Sequence, residues 1–68
     1  MSKKKILITG AASGLGKAIA TLYASQGWRV LVADIQDELG HAFVDALNNN
    51  GQSAEYYHCD IGQAVSFD

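Results

Sequence analysis

Three short apolar stretches alternate with two longer segments of helical spacing in this 68-residue chain. Ile6, Leu7 and Ile8 are consecutive apolar residues inside a first strand, Lys5 to Thr9. An apolar run without alternation marks a strand covered on both faces, as in a parallel sheet. Leu15, Ala18, Ile19, Leu22 and Tyr23 then recur at helical spacing and predict a helix from Leu15 to Ser25 with one buried stripe. Gln26-Gly27 stops it, because glycine takes up a left-handed C-terminal conformation without a side-chain clash. Arg29 to Ala33 reads as a second strand, continuously apolar from Val30, with Asp34 at its C-terminal end. A second helix is expected from about Gln36 to Leu47, burying Leu39, Ala42, Phe43, Ala46 and Leu47. Asp37 and Glu38 in its first turn suit the helix dipole, and Asn48-Asn49-Asn50-Gly51 ends it. Ser53 to Cys59 is a weaker third strand, with Ala54, Tyr56 and His58 on one face and Glu55, Tyr57 and Cys59 on the other. Asp60-Ile61-Gly62 then turns the chain.

Strands alternating with helices imply α/β architecture and parallel pairing through right-handed crossovers. Two crossovers of one hand place both helices on the same face of a three-stranded parallel sheet. The opposite face is then bare, although the first two strands are apolar on both sides. The pattern is therefore expected to be the opening segment of a larger domain, and the chain alone is expected to be partly folded or to self-associate. A domain of this length buries only about 60% of the surface its unfolded chain exposes.

Composition narrows the function. About half the residues are apolar, and five basic against seven acidic residues leave a net charge of −2. That balance argues against nucleic-acid binding. Lys3-Lys4-Lys5 reads as a solvated lead-in to the first strand. The single cysteine, Cys59, excludes an internal disulfide. The apolar run after the basic start is too short for a signal-peptide core or a membrane span, so a cytoplasmic location is expected.

The chemistry lies in Thr9-Gly10-Ala11-Ala12-Ser13-Gly14-Leu15-Gly16, between the first strand and the first helix. Glycines there let the backbone approach an anion, and the helix start offers unpaired N–H groups and the positive end of a dipole. The spacing Thr-Gly-x-x-x-Gly-x-Gly differs from the Gly-x-Gly-x-x-Gly fingerprint, which has one residue between its first two glycines. A P-loop fails on spacing and on the residue after Lys17, which is Ala18. His41, His58 and Cys59 lack metal-ligand spacing.

The run Ile6 to Ala20, with Asp34 after the second strand and Cys59-Asp60-Ile61 after the third, resembles the short-chain dehydrogenase/reductase family. The resemblance spans nearly the whole chain but only the first quarter or so of a family member. It implies a Rossmann-type βαβαβ half, with residues 1–68 forming the N-terminal part of a single NAD(P)-binding domain. Gly10 would allow a tight exit from the strand. Gly14, Leu15 and Gly16 would receive the pyrophosphate, with Ser13 donating to a phosphate or ribose oxygen. Asp34 would accept from both adenosine-ribose hydroxyls and repel the extra phosphate of NADP, so NAD is the implied cofactor. Its other reading is a cap on the second helix. Ile35 would pack on the adenine, Asp60 would accept from its amino group, and the Ile61 backbone would touch the ring. The family follows that pair with Thr or Ser, whereas this chain has Gly62.

The family's chemistry also needs a tyrosine four positions before a lysine. Here Tyr23 is followed by Gly27, Tyr56 by Asp60 and Tyr57 by Ile61. The chain alone is expected to be inactive, while its parent would transfer hydride between NAD(P) and an alcohol or carbonyl and would assemble as a homo-oligomer. The alternative is a non-catalytic nucleotide-binding or interaction module.

Overall fold

The computed structural model describes residues 4–59. Its elements run β1 (Lys5–Thr9), α1 (Gly14–Ser25), β2 (Arg29–Asp34), α2 (Asp37–Asn49) and β3 (Ser53–His58). The three strands form one sheet in the order β1-β2-β3, and both pairings are parallel. Both helices end as expected at a left-handed glycine. Gly27 has φ 89° and Gly51 φ 83°. In each case the following N–H reaches back to close the last turn, from Trp28 to the Tyr23 carbonyl and from Gln52 to that of Leu47.

The register aligns two rows across the sheet, Ile6-Val30-Ala54 and Ile8-Val32-Tyr56. These rows carry the core, packed against Ala20 and Ala24 of α1 and Phe43, Val44 and Leu47 of α2. Both helices therefore cover one face. The opposite face presents the row Leu7-Leu31-Glu55 and, beside it, Tyr57. Leu7 there is 59% exposed. Arg29 and Glu55 form an ion pair on this face. At a partly exposed position such a pair contributes little, roughly 0–1 kcal/mol.

The helices meet the sheet on faces rotated from those the periodicity predicts: Phe43 and Leu47 of α2 are buried as expected, and Tyr23 of α1 packs partly on the core, but the rest of each stripe is not buried. Leu15, Ile19 and Leu22 of α1 are exposed, and its buried residues are Ala20 and Ala24. In α2, Leu39, Ala42 and Ala46 are exposed, and the buried set is Gly40, Phe43, Val44 and Leu47. Ala20 and Ala24 let α1 approach the sheet closely, and Gly40 lets α2 sit against the Tyr56 ring. The displaced apolar side chains of α2 line an open groove between the helices, together with Lys17.

The bare sheet face and the exposed α1 stripe each leave large apolar side chains in water, a condition that favours association. The isolated chain is expected to sediment as oligomers, or to unfold without a cooperative transition, at micromolar concentration. A monomer with one sharp transition would overturn that expectation.

Candidate functional site

The turn Gly10–Ser13 carries the chain from β1 to α1 across the end of β2. Gly10 enters it with φ 67° and Gly14 leaves it with φ 61°, a region where a side chain is strained. The Gly10 N–H donates to the Ala33 carbonyl at 2.7 Å, tying the turn to the neighbouring strand. Within the turn, Ala11 and Ala12 are buried. A Cβ at Gly10 or Gly14 would point into open space, with nothing within 4 Å. A Cβ at Gly16 would strike the Gly10 carbonyl oxygen, so α1 begins in direct contact with the strand exit.

Ser13 caps α1 in an extended conformation, and its side chain makes no capping hydrogen bond. The first turn of α1 contains no acidic residue. Its amides and the positive end of its dipole therefore have no carboxylate from the first turn against them. Leu15 stands beside this end, 76% exposed.

Asp34 closes the site from the second strand. Among the described residues it is the only buried charged side chain, 6% exposed. One oxygen, Oδ2, accepts the Ala12 N–H at 3.0 Å, and Oδ1 accepts the Gln36 N–H at 3.0 Å. The carboxylate thus joins the glycine turn to the start of α2, whose capping residue is Gln36. The Gln36 N–H, helped by that of Ala12, holds its pKa below the usual aspartate range against the opposing effect of burial. A depressed folded-state pKa adds stability that is present above the unfolded value and is lost as pH falls through the folded one. An acid titration of the Asp34 carboxyl resonance should give a midpoint below about 3.9, the ordinary aspartate value. A midpoint at or above that value would mean the two N–H bonds are not formed.

Ile35 follows at the rim and is exposed. Asp60 and Ile61 lie outside the described residues. Beneath Asp34, the Tyr56 hydroxyl sits 2.6 Å from the Asp34 carbonyl oxygen and 2.6 Å from Asp37 Oδ1. His58 Nδ1 is 2.7 Å from the same Asp37 oxygen. Desolvation, then the Asp37 carboxylate, push the Tyr56 hydroxyl up to about 12.

The structure so brings together Gly10, Ser13, Gly14, Leu15, Gly16, Asp34 and Ile35 at the C-terminal ends of β1 and β2. Sequence reasoning missed Ala12 as the donor to Asp34, and missed Tyr56 and Asp37 below it. A backbone N–H leaves no sequence signal. Tyr56 had an indirect one: Gly40 sits in mid-helix, where glycine costs about 1 kcal/mol relative to alanine. Such a glycine points to a close neighbour. That neighbour is the Tyr56 ring, which a Cβ at Gly40 would strike. Among the described residues no helix is long and apolar enough to cross a membrane, and no His/Cys/Asp/Glu group could hold a metal.

Residues 4–68 match the family model described as short chain dehydrogenase. Secoisolariciresinol dehydrogenase of Forsythia intermedia is 47% identical over 58 residues, covering 85% of this chain and 20% of that protein. Momilactone A synthase of Oryza sativa subsp. japonica is 50% identical over 58 residues, again 85% of this chain and 20% of the relative. A crystal structure of a short chain dehydrogenase/reductase from Burkholderia phymatum in complex with NAD superposes with a TM-score of 0.84 at 32% identity, over 91% of this chain and 22% of that one. A metagenomic short-chain oxidoreductase in complex with NADP gives 0.82 at 32% identity, over 93% and 28%. The chain spans about a fifth of the length of these two curated relatives.

Proposed function

The chain belongs to the short chain dehydrogenase family, and on that footing we propose that it holds the adenosine and pyrophosphate portion of a nicotinamide dinucleotide. The observation that supports this most is the meeting of three features at the ends of β1 and β2. Left-handed glycines open the turn, α1 begins without a carboxylate in its first turn, and a buried carboxylate stands on the adjoining strand.

These residues fit the group. The open space over Gly10 and Gly14 leaves room for a pyrophosphate at backbone distance, and the amides of Gly14, Leu15 and Gly16 supply donors there. Ser13 has a hydroxyl free of any capping bond to add to them. Asp34 accepts one backbone N–H at each oxygen. A carboxylate oxygen has two lone pairs, so Oδ2 can also take a ribose hydroxyl, and Oδ1 can take the other in place of its long 3.5 Å bond from the Gln36 side-chain amide. The same negative charge opposes a 2′-phosphate, so the proposed preference is for NAD over NADP. Ile35, Asp60 and Ile61 are assigned to the adenine. A bound nicotinamide would accept the hydride in its oxidised form and donate it in its reduced form. In the parent protein the proposed reaction is reversible hydride transfer with an alcohol or carbonyl substrate, in the cytoplasm and as a homo-oligomer.

Titrating NAD into a folded sample should move the amide resonances of Gly14, Leu15 and Gly16 together with the Asp34 carboxyl. If these stay fixed while the sample remains structured, the cofactor reading fails.

A further inference from the structure

We propose that Tyr56 is a positioning residue for cofactor selection, acting through Asp34. This rests on the reading of Asp34 as the ribose acceptor. The ring of Tyr56 lies in the β3 row that faces the helices, under α2 at Gly40, where any side chain would collide with it. His41 packs on the same ring, with centroids 4.6 Å apart. From that slot the hydroxyl reaches the end of β2 and shares its proton between the Asp34 carbonyl oxygen and Asp37 Oδ1, each at 2.6 Å.

The consequence is geometric. Asp34 is the last residue of β2, and Asp37 is the first of α2. The Tyr56 hydroxyl therefore spans the bend that carries Asp34, and it grips the backbone from the side opposite the glycine turn. The N–H groups of Ala12 and Gln36 hold the carboxylate itself. Tyr56 holds the peptide from which that carboxylate projects. A bidentate grip on two ribose hydroxyls depends on small displacements of both oxygens. NADP carries a phosphate in place of one of those hydroxyls and meets the Asp34 charge instead of the two-point grip, so a displaced Asp34 weakens NAD binding more than NADP binding.

The test is a double-mutant cycle read as the ratio of NAD to NADP affinity, measured by calorimetry on the wild-type chain, Tyr56→Phe, Asp34→Ala and the double variant. Both cofactors bind the same folded fraction, so a loss of stability alone leaves the ratio unchanged. Tyr56→Phe keeps the ring and removes the hydroxyl. It should lower the ratio about threefold to tenfold, the scale of one hydrogen bond. In the Asp34→Ala background the same change should do nothing further. A ratio unmoved by Tyr56→Phe, or moved equally in both backgrounds, overturns the Tyr56 proposal while leaving Asp34 in place. If Asp34→Ala itself leaves the ratio at the wild-type value, or the folded wild-type chain binds neither dinucleotide, the cofactor reading falls and Tyr56 falls with it. Asp37→Asn is a second probe, because it weakens the acceptor on α2 without touching the ring. It should shift the ratio in the same direction, and a shift toward NAD would count against the proposal.

Discussion

Gly16→Ala should destabilise the chain and remove dinucleotide binding together. Alanine is the better helix former by about 1 kcal/mol, so helix propensity alone predicts a gain. Packing predicts the reverse. The new Cβ would strike the Gly10 carbonyl oxygen, lie 2.9 Å from the Gly10 carbonyl carbon and lie 3.1 Å from Ala11 Cα. All three are backbone atoms, and no rotamer change can clear them. The start of α1 must lift away from the strand exit. Overpacking of this kind costs typically about 1–3 kcal/mol. The same movement carries the helix amides away from the place where the pyrophosphate is proposed to sit, so affinity should fall by roughly a hundredfold or more, because hydrogen bonds to a charged group are worth about 1.5–3 kcal/mol each and more than one would be displaced. Urea unfolding and NAD calorimetry on the variant measure both quantities. A variant that is more stable and binds normally would show that α1 does not press on the Gly10 turn.

Asp34→Ala should have the second-largest effect, and it separates two roles of one side chain. As a structural group, the carboxylate receives N–H bonds from Ala12 and Gln36. Ala12 is buried, and leaving its N–H without an acceptor costs about 1–3 kcal/mol. As a recognition group, the carboxylate would grip two ribose hydroxyls. Hydrogen bonds to a charged group are worth about 1.5–3 kcal/mol, so NAD affinity should drop by at least about tenfold while NADP affinity is unchanged or rises. Asp34→Asn divides the two effects. It keeps one acceptor oxygen but turns an amide donor toward a backbone N–H, and it removes the charge that opposes a 2′-phosphate. It should accept NADP nearly as well as NAD. Equal preference for NAD in wild type, Asp34→Ala and Asp34→Asn would refute the assignment.

The element order was legible because it depends on local pattern. Apolar runs mark the first two strands and a weaker alternating stretch after Gly51 marks the third, and every boundary falls within two residues of the expected position. The helix faces were legible only in part: Phe43 and Leu47 of α2 are buried as the pattern implies, whereas the stripe of α1 is mostly exposed. In α1 the larger apolar residues, Leu15, Ile19 and Leu22, formed the stronger stripe, yet Ala20 and Ala24 face the sheet. Hydrophobic periodicity weighs residues by their aversion to water. The close contact of α1 with the sheet selects instead for small size, and size complementarity exists only once the partner surface is specified. The bare sheet face, by contrast, was readable in advance, since two crossovers of one hand follow from chirality and not from side chains.

The site divides the same way. Residue type and spacing along the chain sufficed for the glycine turn, the helix that follows it and an aspartate at the end of the second strand, because each is a requirement of backbone conformation or charge at a single position. Folding alone revealed that the Ala12 N–H seats the Asp34 carboxylate and that Tyr56 reaches up from β3 to the peptide beneath it. Those bonds join residues 22 positions apart. A pairing across that distance depends on sheet register and helix approach, which no local pattern encodes.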